Sequence, residues 1–338
     1  VAGVEFDGQY FDNKLLTVTS FAGLVGEEKA DIILTYMGEA GLETVRSTQV
    51  NFYGTNQIRA SHDGISTDDA LVRQITWKGV VDQIELNNLQ DHAWSSVARA
   101  IDPDGFIRFV EAEGNIEAHF AGITNKVLSE SFYQGAVGEE KLDVTFTYRD
   151  LAAIVEGAPV YQDVRSTQVS FYVGATDPVR AGSAGPDDAL VLQRTFKGEI
   201  ANLAAGVTWN SFHRANRLLS ETHYQNEVGE EKVDYVLTFR RNAADDAEIV
   251  RSTQVSFYEG EVRAENASPD DALISQRTYR GAFESDGDEN ILVAGVEFDG
   301  QYFDNKLLTV TSFAGLVGEE KADIILTYMG EAGLETVR

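Results

Sequence analysis

Short runs of oxygen-bearing side chains are the part of this sequence whose spacing could support chemistry. Asp286, Asp288 and Asn290 stand at alternate positions, as the ligands of hard-cation loops often do, and Asp102 and Asp104 form a thinner version of the pattern. Neither run completes the D-x-[DN]-x-[DN]-G-x5-E loop. Ca²⁺ is therefore the candidate ligand of both runs, where it would stiffen the joint between neighbouring folded segments.

Acidic pairs of two other types recur along the chain, represented by Glu27-Glu28 and Asp68-Asp69. Their recurrence predicts a shared structural role, because carboxylates satisfy backbone amides at turns and strand entries. Ion binding is the alternative. The lysine that follows each glutamate pair, such as Lys29, is expected to be a solvated charge.

Known catalytic motifs are missing from the sequence, which contains no H-E-x-x-H, phosphate loop or G-x-S-x-G. Cysteine is absent, so no thiolate nucleophile or disulfide is available. The five histidines do not recur at equivalent places: His62, His92, His119, His213 and His223. The sequence predicts that the protein is not an enzyme.

The charge balance restricts the partners. The 338 residues include 55 Asp and Glu against 27 Lys and Arg, for a formal charge of −28, and no basic run could follow a phosphate backbone. Nucleic acid is therefore not expected as a partner. No stretch approaches the ~18 apolar residues of a membrane span. Such acidity suits saline or calcium-rich surroundings, and we expect the protein outside the cell or at the cell surface.

An exact internal repeat dominates the sequence. Residues 1–46 recur letter for letter as residues 293–338, an offset of 292. This identity predicts a segment of a longer periodic polypeptide, and an end duplicated by engineering is the alternative. Three diverged modules lie within the period, marked by VGEEK, VRSTQV and DDAL, and VGEEK begins at Val25, Val137, Val228 and Val317.

Apolar residues alternate with period two between these markers, which is the signal of strands. After VGEEK, Ala30, Ile32 and Leu34 alternate with Asp31 and Ile33. About six or seven strands in ~90 residues predict an all-β chain of immunoglobulin-like sandwich modules, arranged as beads on a string or as a filament; a small barrel is the second choice.

The module boundaries are predicted where length and composition vary. The modules are expected at residues 1–91, 111–203 and 204–284, followed by an acidic linker at 285–292 and a partial module at 293–338. The linker at 92–110 is predicted to contain a short helix capped by Asp91.

Together these features resemble the repetitive stalks of large bacterial surface adhesins and fibre proteins, which are acidic, cysteine-free and built of immunoglobulin-like modules. The resemblance is architectural and covers the whole chain. It implies a structural segment that gives length and mechanical connection, with neighbouring modules and other copies in a fibre as partners.

A carbohydrate-binding or surface-binding array is the competing function, and it requires equivalent exposed aromatic residues in each module. Tyr53, Tyr172 and Tyr258 are the candidates. The three tryptophans, Trp77, Trp94 and Trp209, are expected in the core, with exposed anchors as the alternative.

Overall fold

The computed structural model describes ten stretches of the chain: residues 15–39, 41–81, 97–101, 107–111, 126–149, 164–200, 216–241, 248–282, 306–330 and 336–338. By contacts the chain divides into two compact units, Val1–Thr167 and Gln168–Arg338. Nearly all regular structure in the described stretches is strand. The prediction of an all-β chain is confirmed.

The first unit is an antiparallel meander. Its strands are β1 (Thr17–Ala22), β2 (Lys29–Met37), β3 (Thr44–Tyr53), β4 (Ile58–Arg59), β5 (Leu71–Lys78), β6 (Val97–Ile101), β7 (Ile107–Glu111), β8 (Val127–Gln134) and β9 (Lys141–Tyr148). β1 pairs with β2, β2 with β3, and β3 with β4 and β5. β5 then pairs with β8, the first long strand of module 2, and β8 pairs with β9.

The second unit repeats this order. Its strands are β10 (Val164–Tyr172), which spans the unit boundary, β11 (Val179–Arg180), β12 (Leu190–Lys197), β13 (Leu218–Gln225), β14 (Lys232–Arg241), β15 (Glu248–Tyr258), β16 (Leu273–Arg280), β17 (Leu307–Ala314), β18 (Lys321–Met329) and β19 (Thr336–Val337). From β12 onward each strand pairs with the next one along the chain.

In the first unit the described strands other than β6 and β7 form an open antiparallel sheet, and the described strands of the second unit form one as well. The immunoglobulin-like sandwich is not confirmed. A sandwich would divide the strands of one module between two facing sheets. Here, instead, the last long strand of a module pairs along its outer edge with the first strand of the next module, at β5–β8, β12–β13 and β16–β17.

The helix predicted in the linker at 92–110 is wrong for the described residues, because β6 and β7 form a separate two-stranded sheet there. The predicted module limits stay predictions, since residues 91, 203, 284 and 292 lie outside the described stretches. The same holds for the capping role of Asp91.

Each face of the sheet has its own chemistry. In the first unit, Val50, Phe52, Ile75 and Trp77 form one buried cluster with Val81. The opposite face carries Thr, Ser and Gln side chains at the intervening positions. Trp77 is fully buried, as expected of a core residue, while Trp94 and Trp209 lie outside the described residues.

Candidate functional site: the junctions between modules

The calcium candidates cannot be placed. Asp102, Asp104, Asp286, Asp288 and Asn290 all lie outside the described residues. Within the described stretches, no group of three or more His, Cys, Asp or Glu side chains is arranged to hold a metal ion. Calcium at the linkers therefore stays a prediction.

The VGEEK turn is built around its glycine, which has φ of 84°, 80°, 82° and 78° in the four copies. This left-handed conformation favours glycine and explains why the residue is kept in every copy. The turn brings the second glutamate of the motif to the edge of the preceding module.

That second glutamate joins two modules through backbone hydrogen bonds. Glu140 Oε2 accepts from its own turn, at Gly138 N (2.9 Å), and Oε1 accepts from Leu71 N of module 1 (3.0 Å). Glu231 does the same for Gly229 N and for Leu190 N of module 2. Glu320 accepts from Leu273 N at the third junction (3.2 Å). We call this contact the glutamate brace.

Glu28 is the matched exception. Its carboxylate accepts from Gly26 N within the turn (3.0 Å), but among the described residues no strand precedes β1 to use the other oxygen. Glu28 is exposed, whereas its counterparts Glu140, Glu231 and Glu320 are half-buried.

Replacing the brace should weaken a junction, and the first unit contains both the test and its control. We expect Glu140→Ala to lower the free energy of unfolding by about 1–2 kcal/mol, because two charge-assisted hydrogen bonds to backbone are lost. Glu28→Ala should cost clearly less, since one such bond is lost at an exposed turn. Hydrogen exchange of the Leu71 amide measures the difference, and equal protection in the two variants would contradict the brace.

In modules 1 and 3 the lysine of VGEEK, which was predicted to be a solvated charge, donates to backbone carbonyl oxygens. Lys29 Nζ donates to the carbonyl oxygens of Thr67 (3.0 Å) and Asp69 (2.8 Å) and lies 5.3 Å from the ring centre of Tyr53. In module 3, Lys232 Nζ donates to the corresponding two carbonyl oxygens and lies over Tyr258. The lysine thus ties the turn to the DDAL loop of its own module.

The second aspartate of DDAL confirms the predicted turn chemistry. Asp69 Oδ2 accepts from Ser66 N (2.7 Å), Asp188 Oδ2 from Gly185 N (2.6 Å) and Asp271 Oδ2 from Ser268 N (2.7 Å). Each carboxylate closes the loop that leads into the last strand of its module.

A buried ion pair lies inside the first junction. Arg73 on β5 pairs with Glu130 on β8, and the two residues are 4% and 1% exposed. The hydroxyl of Tyr148 donates to Glu130 Oε2 (2.7 Å), and Gln57 Oε1 accepts from Arg73 (3.2 Å). Charges this deeply buried are tolerated because each has a charged partner and further hydrogen bonds.

The second junction keeps the same strand register but places its arginine two residues later on the strand than Arg73 lies on β5. Arg194 on β12 lies directly opposite Glu221 on β13 and donates to Oε1 (2.7 Å). His223 Nε2 lies 3.6 Å from the other oxygen, and its ring stacks on Tyr235. Burial alone would raise the pKa of Glu221, but His223 and the charge of Arg194 outweigh it and hold the pKa below its usual value. Glu221 is therefore ionised at neutral pH.

At the third junction an apolar residue replaces the glutamate of the ion pair. Val310 on β17 occupies the place of Glu130 and Glu221, and it lies opposite Arg277. On the polar face, Tyr133 and Tyr224 donate to Gln74 and Gln193 of the preceding module, but Phe313 stands at that position in β17. The junction that ends one 292-residue period thus differs from the two within it.

Ion pairs also fasten the loop after the third strand of a module. Arg59 pairs with Asp31 through both carboxylate oxygens, and Arg263 pairs with Asp234 in the same way. Each arginine follows the aromatic end of its VRSTQV strand, so the loop is held against the second strand of the module.

The tyrosines that a ligand-binding array would need are buried. Tyr53, Tyr172 and Tyr258 are 7%, 5% and 6% exposed. Tyr53 and Tyr258 donate their hydroxyls to Ala30 O (2.6 Å) and Val233 O (2.8 Å). Burial raises the pKa of Tyr53 to about 12, and it also raises the pKa of Tyr258. These rings are core residues and present no ligand surface.

An open cleft of about 340 Å³ lies in module 1 between the turn after β1 and the loop before β5. Two of its polar side chains bond to backbone: Lys29 donates to carbonyl oxygens, and His62 Nδ1 accepts from Gly64 N (2.9 Å). Nothing in this lining forms a catalytic arrangement.

Comparison with known protein families finds no family model that matches this chain, and no curated protein is significantly similar to it. In the described part of the chain, no helix has the length and apolarity needed to cross a membrane.

Proposed function

We propose that this chain is a structural segment of a tandem-repeat filament or adhesin stalk, located outside the cell or at the cell surface, which supplies length and mechanical connection. The observation that carries the proposal is the junction. At β5–β8, β12–β13 and β16–β17 a ladder of five residue pairs and the glutamate brace join one module to the next. Modules joined in this way add length with each copy.

Such a filament does not require the immunoglobulin-like sandwich predicted from the sequence, because strands paired edge to edge extend equally well with copy number. Its partners are the neighbouring modules and other copies in a fibre. Calcium at Asp286, Asp288 and Asn290, or at Asp102 and Asp104, would stiffen the linkers. The tyrosines that a carbohydrate-binding array would need, Tyr53, Tyr172 and Tyr258, are buried. No observation favours an enzyme.

Solution X-ray scattering tests the proposal by comparing the 338-residue chain with one that carries a further 292-residue unit. One 292-residue period supplies twelve long strands. At ~4.8 Å between neighbouring strands, these add at most roughly 60 Å to the maximum dimension. We expect the maximum dimension to grow by a constant amount with each added unit. Growth of the radius of gyration at the slow rate of a globular protein would overturn the proposal.

A further inference from the structure

The chain contains the same hairpin in two settings. β1–β2 and β17–β18 have identical sequences and the same register, with Thr17 opposite Thr35 and Thr309 opposite Thr327. They differ in what lies on the outer edge of the first strand. β17 is covered by β16, whereas among the described residues β1 pairs with β2 alone.

Covering this edge changes the exposure of identical residues. Val25 is 97% exposed, and Val317, its copy, is 46% exposed. Leu16, just before β1, is 62% exposed, and Phe21, within β1, is 63% exposed. Their copies on β17 are half-buried. An exposed apolar edge strand with free backbone groups is a template for pairing with another strand.

The chemistry of β1 identifies the strand that fits it. β8 and β13 carry Glu130 and Glu221 for the arginines of β5 and β12, but β1 carries Val18 at that position, as β17 carries Val310. Among the described residues, Glu28 Oε1 has no hydrogen-bond partner, and it corresponds to the oxygen of Glu320 that accepts from Leu273 N. In sequence and hairpin register, the β1 edge is the same as the one that β16 meets on β17.

We propose that the outer edge of β1 is a docking site for the last strand of a third module, Leu273–Arg280, supplied by a second copy of the three-module unit placed before β1 in a tandem array. The site deepens the proposed function and rests on it. Docking adds a strand to the sheet by β-augmentation, with the ladder giving affinity and the apolar edge giving fit.

Disulfide trapping tests this docking, because the chain contains no cysteine of its own. Thr278 lies opposite Thr309, the copy of Thr17. A synthetic peptide of residues 268–284 carrying Thr278→Cys, activated as its thiopyridyl disulfide, should form a mixed disulfide with the full chain carrying Thr17→Cys by thiol–disulfide exchange, with thiopyridone as the leaving group. The matched control is the full chain carrying Thr309→Cys, in which the same local sequence is already covered by β16.

We expect trapping at position 17 to be at least about tenfold faster than at position 309, since β17 must first open locally. A Gln276→Pro peptide should lose this advantage, because proline breaks a strand ladder. Equal rates at the two positions, or equal trapping by the proline peptide, would overturn the docking site. If trapping fails but the maximum dimension grows by a constant amount, the docking site is wrong and the proposed filament is kept. If trapping succeeds without such growth, the filament is wrong and the docking site is kept.

Discussion

Glu130→Ala is expected to lower the free energy of unfolding of the first unit by about 3–5 kcal/mol. The substitution leaves the Arg73 guanidinium, 4% exposed, without its counterion inside the core. An unpaired buried charge costs far more than the ion pair itself contributes. Denaturant titration followed by hydrogen exchange at β5 and β8 measures the loss.

The double variant Arg73→Met with Glu130→Val separates charge from packing. It removes both charges and places at position 130 the valine that occupies the same place at positions 18 and 310. Replacing both members of a buried pair by apolar residues is often neutral or stabilising, so we expect most of the loss to be recovered. If the double variant is as unstable as Glu130→Ala, the ion pair does not account for the effect. Glu27→Ala, on an exposed turn, is the control for a lost carboxylate.

Trp77→Ala is expected to destabilise the first unit by about 3–5 kcal/mol, because a fully buried indole leaves a large cavity among Val50, Phe52 and Ile75. The unfolding transition of β3 and β5 measures this loss.

Trp77→Phe provides the contrast, with an expected cost below about 1.5 kcal/mol. Phe196 occupies the equivalent buried place in module 2. In the described structure, moreover, the indole Nε1 of Trp77 has no hydrogen-bond partner, so phenylalanine removes a buried donor that gains nothing from folding. A loss as large as that of the alanine variant would mean that Trp77 makes a specific contact beyond filling space.

Local strand positions could be predicted from the sequence because alternation depends on neighbours two residues away. The strands after VGEEK are observed at Lys29–Met37, Lys141–Tyr148 and Lys232–Arg241.

Edge pairing between modules could not be predicted, because alternation assigns a side chain to a face but not a strand to its neighbour. One signal was nevertheless present. Glu130 and Glu221 interrupt the apolar alternation of their strands on the core face, and Arg73 and Arg194 do the same in the preceding modules. A buried carboxylate requires a buried cation, so these four residues marked the junctions.

The linker helix failed for a related reason. The capping signal at Asp91 and the alanines near it are local preferences, but Val97 and Ile101 are β-branched and a second strand-forming run follows. Pairing between β6 and β7 satisfies both backbones, which overrides a weak helical preference.

Pairing of each strand with its neighbours along the chain has a consequence for resistance to proteolysis. In the second unit from β12 onward, the contacts of a strand are made with the strands just before and just after it. Stability is then close to a sum of terms between adjacent strands, so the loss of one strand weakens its two neighbours and leaves more distant ones intact. Cleavage of one loop by a protease would therefore destabilise only the strands next to it. A chain built of such strands could be cleaved at several loops before its fold was lost.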